Sequence, residues 1–230
     1  MDIKKVLIKW SKTDEHHEKI EKARQIVRNA LQIYSKPYIA FSGGKDSTCV
    51  LHLVLEQCPD IMVLHWDYGP YYIPRWLEKE FIDNARQIGA RNIRIETSEK
   101  YMRLGRNAIN VLGREYLGKL IPQLKQEGYD MAFVGLRKEE GNKRRRRIEN
   151  KKSISVIPEC WPIADWTWKD VWAYIFNRNL PYPSIYNFYA PIVGWDKVRL
   201  ATFFDPEFDK LGSSNVDGVL MWKFRNYREG

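Results

Sequence analysis

Six residues, Ser42-Gly43-Gly44-Lys45-Asp46-Ser47, carry the most chemistry in the shortest span of this chain. They follow the apolar run 37–41 and precede a helical pattern set by Val50, Leu51, Leu53, Val54 and Leu55. Two glycines let the backbone approach a ligand with no Cβ in the way. A helix that starts there aims unpaired N–H groups and a partial positive charge at the same spot. Lys45 adds a full charge, and Ser42, Ser47 and Thr48 add hydroxyl donors. The reading is a phosphate cradle. It lacks the Gly-x-x-x-x-Gly-Lys-Ser/Thr order of a Walker A loop. Gly113 to Lys119 has that spacing, but Leu120 stands where a metal-binding hydroxyl is required, and its surroundings read as continuous helix.

Two further sets of residues fall at the ends of apolar runs. Asp67 follows the second run and can either lie beside a nucleotide or cap the next turn. Gly135 and Arg137 follow the fourth, with Glu140 and Arg144 shortly after. A glycine at that place keeps a side chain out of a ligand's path, and the planar arginine fork suits phosphate or sulfate oxygens. Trp161, Trp166, Trp168 and Trp172 have near-helical spacing and read as core packing.

The elements that must position these groups alternate. Strands are expected at 37–41, 61–66, 92–96 and 130–135, and helices at 14–34, 45–57, about 75–88, about 103–127 and 168–178. Ser11 and Asp14 have capping-box spacing ahead of the first helix, and His16 and His17 in its first turn are expected to face solvent. The strands are apolar on both faces, as in a buried parallel sheet. An α/β fold follows, doubly wound and mostly parallel, with helices on both faces. Residues 1–35 read as an N-terminal helical extension, 36–178 as the nucleotide-binding domain and 179–230 as a C-terminal lobe packed on it. The stretch 137–153 is polar and aperiodic and reads as a long loop.

With 44% hydrophobic residues in 230, the chain can bury a core and is not a disordered polymer. It has no apolar run of about 18 residues and no signal-like N-terminus, so a cytoplasmic protein without membrane association is expected. Its net charge of +9 favours anionic partners. Lys143, Arg144, Arg145, Arg146 and Arg147 form the densest basic run, readable as a solvated loop or as a nucleic-acid contact. Self-association stays open. Cys49, Cys58 and Cys160 have no metal-ligand spacing, so neither zinc nor an iron–sulfur cluster is expected.

Taken in order, the phosphate loop, Asp67-Tyr68-Gly69-Pro70, Gly135-x-Arg137, and Pro162-Ile163-Ala164-Asp165-Trp166 resemble the phosphoadenylyl-sulfate (PAPS) reductase family. This family lies within the adenine-nucleotide alpha-hydrolase, or PP-loop, superfamily, and the resemblance covers roughly residues 36 to 190. It implies that Ser42, Gly43, Gly44, Asp46, Ser47, Thr48, Asp67, Gly135, Glu140 and Arg144 bind the nucleotide. Lys45 and Arg137 would serve the reaction. ATP would arrive with Mg2+, for which Asp46 is the one candidate protein contact. The family's terminal Glu-Cys-Gly nucleophile is absent; the tail reads Asn226-Tyr227-Arg228-Glu229-Gly230. Adenylyl transfer to an unidentified anionic acceptor, with pyrophosphate leaving, is therefore the leading expectation. A sulfonucleotide reductase, or a degenerate one using Cys160, and a non-catalytic nucleotide- or nucleic-acid-binding protein are the alternatives.

Overall fold

In the computed structural model, which describes residues 2–69, 73–98, 100, 115–198 and 200, five strands pair in parallel. They are β1 (Pro37–Phe41), β2 (Met62–Asp67), β3 (Ile93–Thr97), β4 (Met131–Val134) and β5 (Glu159–Cys160), in the spatial order β3-β2-β1-β4-β5. From the central β1 the chain steps outward through β2 to β3, then returns to β4 on the other side of β1. That reversal makes the fold doubly wound, and it opens a crevice beyond the carboxyl ends of β1 and β4.

The strand period of two sends alternate residues to opposite faces. Ile39, Phe41, Val63, Met131 and Phe133 face one layer of helices, which comprises α1 (Ile3–Trp10), α2 (Asp14–Ile33), α3 (Lys45–Leu55), α4 (Arg75–Ile88), α7 (Trp168–Asn177) and α8 (Ile185–Val193). Tyr38, Met62, Leu64, Trp66 and Ala132 face the other, smaller layer, made by a π-helical turn at Tyr116–Leu120 and α5 (Ile121–Gln126). A short helix, α6 (Asn142–Glu149), stands beyond the end of β4.

The strand positions agree with the sequence pattern to within a residue or so. Elsewhere the structure differs. The stretch 137–153 is not a loop: it holds a 3-10 turn at Lys138–Glu140 and then α6. Its aperiodic look arises because one face of an eight-residue helix is enough to seat it. Residues 103–114 of the helix expected at 103–127 lie outside the described residues, and the rest is helical up to Gln126. α1, β5 and α8 had no counterpart in the sequence reading.

The N-terminal contact is also different from expectation. Thr13 caps α2 by accepting the His16 N–H, while Ser11 ends α1. His16 is 0% exposed rather than solvent-facing, and its Nδ1 lies 3.2 Å from Asp170 Oδ1. Asp170 also accepts from Trp10 Nε1 (2.8 Å), Lys19 Nζ (2.8 Å) and the Thr167 N–H (2.7 Å). One buried carboxylate thus ties α1, α2 and α7 together. Trp166 and Trp172 are core residues, as expected; Trp161 and Trp168 are half-buried.

Candidate functional site

The loop after β1 turns sharply because Gly43 takes φ +78°, a conformation that residues with a Cβ rarely adopt. A Cβ there would also lie 2.3 Å from the Phe81 ring, which packs beneath the loop from α4. Gly44 is the N-cap of α3, and no side chain caps that helix among the described residues. The Lys45 N–H donates to Tyr186 Oη at 3.2 Å, so α8 braces the helix start. Ser47 Oγ donates to the Gly44 carbonyl and lies 3.2 Å from Ser42 Oγ. Thr48 Oγ1 donates to the same carbonyl. Behind the loop His65 Nδ1 faces the Phe41 carbonyl at 2.9 Å, while Nε2 meets Glu78. A carbonyl can only accept, so Nδ1 carries the hydrogen.

Lys45 and Arg137 are both buried against Asp46. Lys45 is 1% exposed and its Nζ lies 2.8 Å from Asp46 Oδ2. Arg137 is 3% exposed; its Nε donates to Asp46 Oδ1 at 2.6 Å and its Nη1 to Glu139 Oε2 at 2.7 Å. Asp46 is therefore a counter-ion shared by two buried cations, with each oxygen engaged, and this departs from its expected role as a magnesium contact. Burial pushes the Asp46 carboxyl up, but Arg137 and Lys45 outweigh it and hold the group well below the usual carboxylate range.

Gly135 also has a packing role. A Cβ on it would lie 2.8 Å from Asp46 C and from Ser47 N, so the missing side chain admits the first turn of α3. Asp67 takes the capping role: it accepts the Gly69 N–H and both Arg75 Nη groups. It does not line the cleft.

The cleft itself lies beyond β1 and β4; its cavity volume is about 180 Å3, and it opens to solvent. One wall is the loop, Ser42, Gly44, Asp46 and Ser47, with Gly135 at the end of β4 beside it. The floor is the smaller face of the sheet, where Ala40 and Ala132 leave room between Tyr38, Leu64, Trp66 and Val134. This apolar floor went unread in the sequence. Its signal was available as two alanines at the same alternating phase as larger residues in neighbouring strands. The far wall is α6, where Arg144 and Arg147 face the cleft, paired with Glu140 and Glu159. Of the sequence-proposed residues, then, Ser42, Gly44, Asp46, Ser47, Gly135, Glu140 and Arg144 come together, whereas Gly43, Lys45, Thr48 and Arg137 support them from behind.

The cysteines lie apart from this wall. Cys49 is buried in α3, and burial raises its thiol pKa well above the ordinary value. Cys160 sits on β5, where burial pushes its thiol up to about 12.

The pattern of the phosphoadenosine phosphosulfate reductase domain matches residues 36–212, the span holding the loop, the sheet and the cleft. The chain belongs to that family. Among its relatives, an uncharacterised protein of Methanocaldococcus jannaschii is 31% identical over 201 residues, which cover 82% of this chain and 40% of that protein. The chain thus spans less than half of that relative's length. An adenosine 5'-phosphosulfate reductase of Bacillus mycoides is 25% identical, with 70% of this chain and 72% of that one covered. A sulfate adenylyltransferase subunit 2 of Magnetococcus marinus is also 25% identical, with 74% and 67% covered. Family members of both kinds are enzymes, and they differ in chemistry.

Among solved structures, the U34-tRNA thiolase NcsA of Methanococcus maripaludis shares the fold. Its TM-score is 0.53 at 13% identity, covering 92% of this chain and 80% of that one. The thiolase carries a 4Fe–4S cluster. The expectation that iron–sulfur chemistry is foreign to such a chain is therefore withdrawn, because this fold houses a cluster elsewhere. Cysteine spacing was a poor guide, since ligands brought together by a fold need no short spacing in sequence. Among the described residues no group of three or more His, Cys, Asp or Glu is placed to hold a metal. No described helix is long and apolar enough to cross a membrane.

Proposed function

We propose that this chain binds ATP in the cleft and catalyses adenylyl transfer, releasing pyrophosphate. One observation carries the reading: the cleft is lined by loop hydroxyls, a helix N-terminus and arginines, and none of its described lining residues is a cysteine. The adenosine would lie over Ala40 and Ala132, between the larger floor residues, with its phosphates running to Ser42, Gly44 and Ser47. An acceptor oxygen attacks the α-phosphorus and forms the new P–O bond. The bond to the bridging α–β oxygen breaks, and its electron pair leaves with pyrophosphate. The chain's own contribution is placement and a field: the start of α3 favours the leaving group's charge, and Arg144 and Arg147 face the acceptor side. Lys45, Asp46 and Arg137 keep the loop rigid.

The sulfate adenylyltransferase relative supports this reading, and the adenosine 5'-phosphosulfate reductase relative supports an alternative in which a thiolate attacks sulfur. The high thiol pKa values of Cys49 and Cys160 count against the alternative for this chain, because the thiolate is the nucleophile. Parallel calorimetric titrations with ATP, adenylyl sulfate and phosphoadenylyl sulfate separate the two. ATP should bind most tightly of the three, and pyrophosphate should form with a suitable acceptor. Tightest binding of a sulfonucleotide, with thiol-dependent sulfite release, would replace adenylyl transfer by reduction.

A further inference from the structure

Helical periodicity splits the basic run in two. Arg144 and Arg147, with Ile148, lie on the inward face of α6, and the two arginines meet Glu140 and Glu159 in the cleft wall. Lys143, Arg145 and Arg146 lie on the outward face, exposed and without an ion pair among the described residues. Lys151 and Lys152 extend that exposed group just past the helix end. Residues 142–152 hold seven cations and one acid, Glu149, so with the two inward arginines paired to Glu140 and Glu159, five exposed cations face a single exposed carboxylate.

The end of α6 adds an independent observation. Lys151 has φ +49°, a left-handed conformation that disfavours a residue with a Cβ and usually falls to Gly or Asn. Its N–H bonds the Ile148 carbonyl and the Lys152 N–H bonds the Arg147 carbonyl, closing a Schellman turn that glycine would close with less strain. A lysine at this position gives up stability and gains one more charge on the exposed face.

We propose that the outward face of α6, continued by Lys151 and Lys152, docks the phosphate backbone of RNA, and that an unpaired base of that RNA enters the cleft as the acceptor. This rests on the adenylyl-transfer reading and names its substrate class. The geometry points to a polymer because five exposed cations follow one another along α6 and its end, on residues that do not line the cleft. It points to RNA loops because bases within a stacked duplex cannot enter a cleft, whereas loop bases can be splayed out. Arg144 and Arg147, on the opposite face of the same helix, line the cleft that the base would enter.

The test is fluorescence anisotropy with a labelled RNA stem–loop over a salt series, with no ATP present. Five contacting cations predict a slope of log affinity against log salt of about −3.5, at about 0.7 per phosphate on a single strand. The double variant Arg145→Gln/Arg146→Gln should bind roughly tenfold more weakly with a slope shallower by about 1.4. Lys151→Gly should bind RNA more weakly while melting at a higher temperature, an outcome that a purely structural lysine would not give. ATP titrations on the same three proteins distinguish the two readings. If ATP binds all three alike and RNA affinity is absent, or unmoved by the variants, the docking proposal is overturned and nucleotide binding stands. Equal affinity for a DNA duplex of the same length also overturns it, since that marks general attraction of polyanions. Failure of ATP to bind the wild type strikes at the nucleotide reading instead, whatever the RNA result.

Discussion

Replacing Gly135 by alanine tests whether the phosphate loop is held as described. The added methyl carbon would stand 2.8 Å from Asp46 C and from Ser47 N, and 2.9 Å from Asp46 O. All three are backbone atoms at the start of α3, so no side chain can swing aside to relieve the contact. Overpacking typically costs about 1–3 kcal/mol, and rigid neighbours place this case near the upper end, at about 2–3 kcal/mol. For a domain of this size that lowers Tm by about 4–12 °C, at about 2–4 °C per kcal/mol. Gly44→Ala is the matched control. Its Cβ would meet Ser42 Oγ and Tyr186 Oη at 3.6 Å, ordinary contacts, at a residue with φ −74°. That change should cost under about 1 kcal/mol in stability yet weaken ATP binding, because the methyl enters the cleft. Differential scanning calorimetry and ATP titration read both variants. Should Gly135→Ala melt like the wild type, the close approach of β4 to α3 is not as drawn, and the reasoning about the loop fails with it.

Other consequences are independent of that one. Asp46→Asn leaves Lys45 and Arg137 buried without their shared counter-ion, so unfolding by urea should show a loss of about 3–5 kcal/mol. The folded-state pKa of Asp46 is lowered, so its contribution is present above the ordinary carboxylate pKa and lost as pH falls through the folded value. The gap between wild type and variant should stay constant from about pH 5 to 8 and narrow only in acid below about pH 4; a gap that closes near neutrality would contradict the pairing. Asp170→Ala removes the acceptor shared by Trp10, His16, Lys19 and Thr167, and should cost about 3 kcal/mol or more. Limited proteolysis of that variant should release the first two helices before the sheet is cut, and uniform cleavage would argue against the tie. Cys160→Ser should retain pyrophosphate release, and sulfite release from a sulfonucleotide that this change abolishes would restore a thiol mechanism.

Much of the fold was legible because buried parallel strands read as apolar runs between amphipathic helices, and each run from 37 to 134 found its strand. The turn at Ser42–Ser47 was legible for a similar reason, since a Gly-Gly pair between an apolar run and a helical pattern marks a tight strand-to-helix turn. Partner choice among charged residues was not. Nothing local distinguishes a Lys45 or Arg137 that reaches a ligand from one neutralised by Asp46, a pairing made across 91 residues in the case of Arg137. His16 looked exposed for the same reason: its partner, Asp170, lies 154 residues away. The eight residues of α6 carry one buried apolar side chain, Ile148, too few to show a period. The apolar floor of the cleft was hidden because Ala40 and Ala132 are unremarkable until the register sets Ala132 opposite Tyr38 and Ala40 opposite Val134.

The most direct test of the central claim is a crystal structure with an ATP analogue whose α–β bond resists cleavage. Its triphosphate should lie against Ser42, Gly44 and Ser47 at the start of α3, with the adenine over Ala40 and Ala132. Analogue density elsewhere, with the loop wall bare at saturating concentration, would contradict the assignment of this cleft as the nucleotide site.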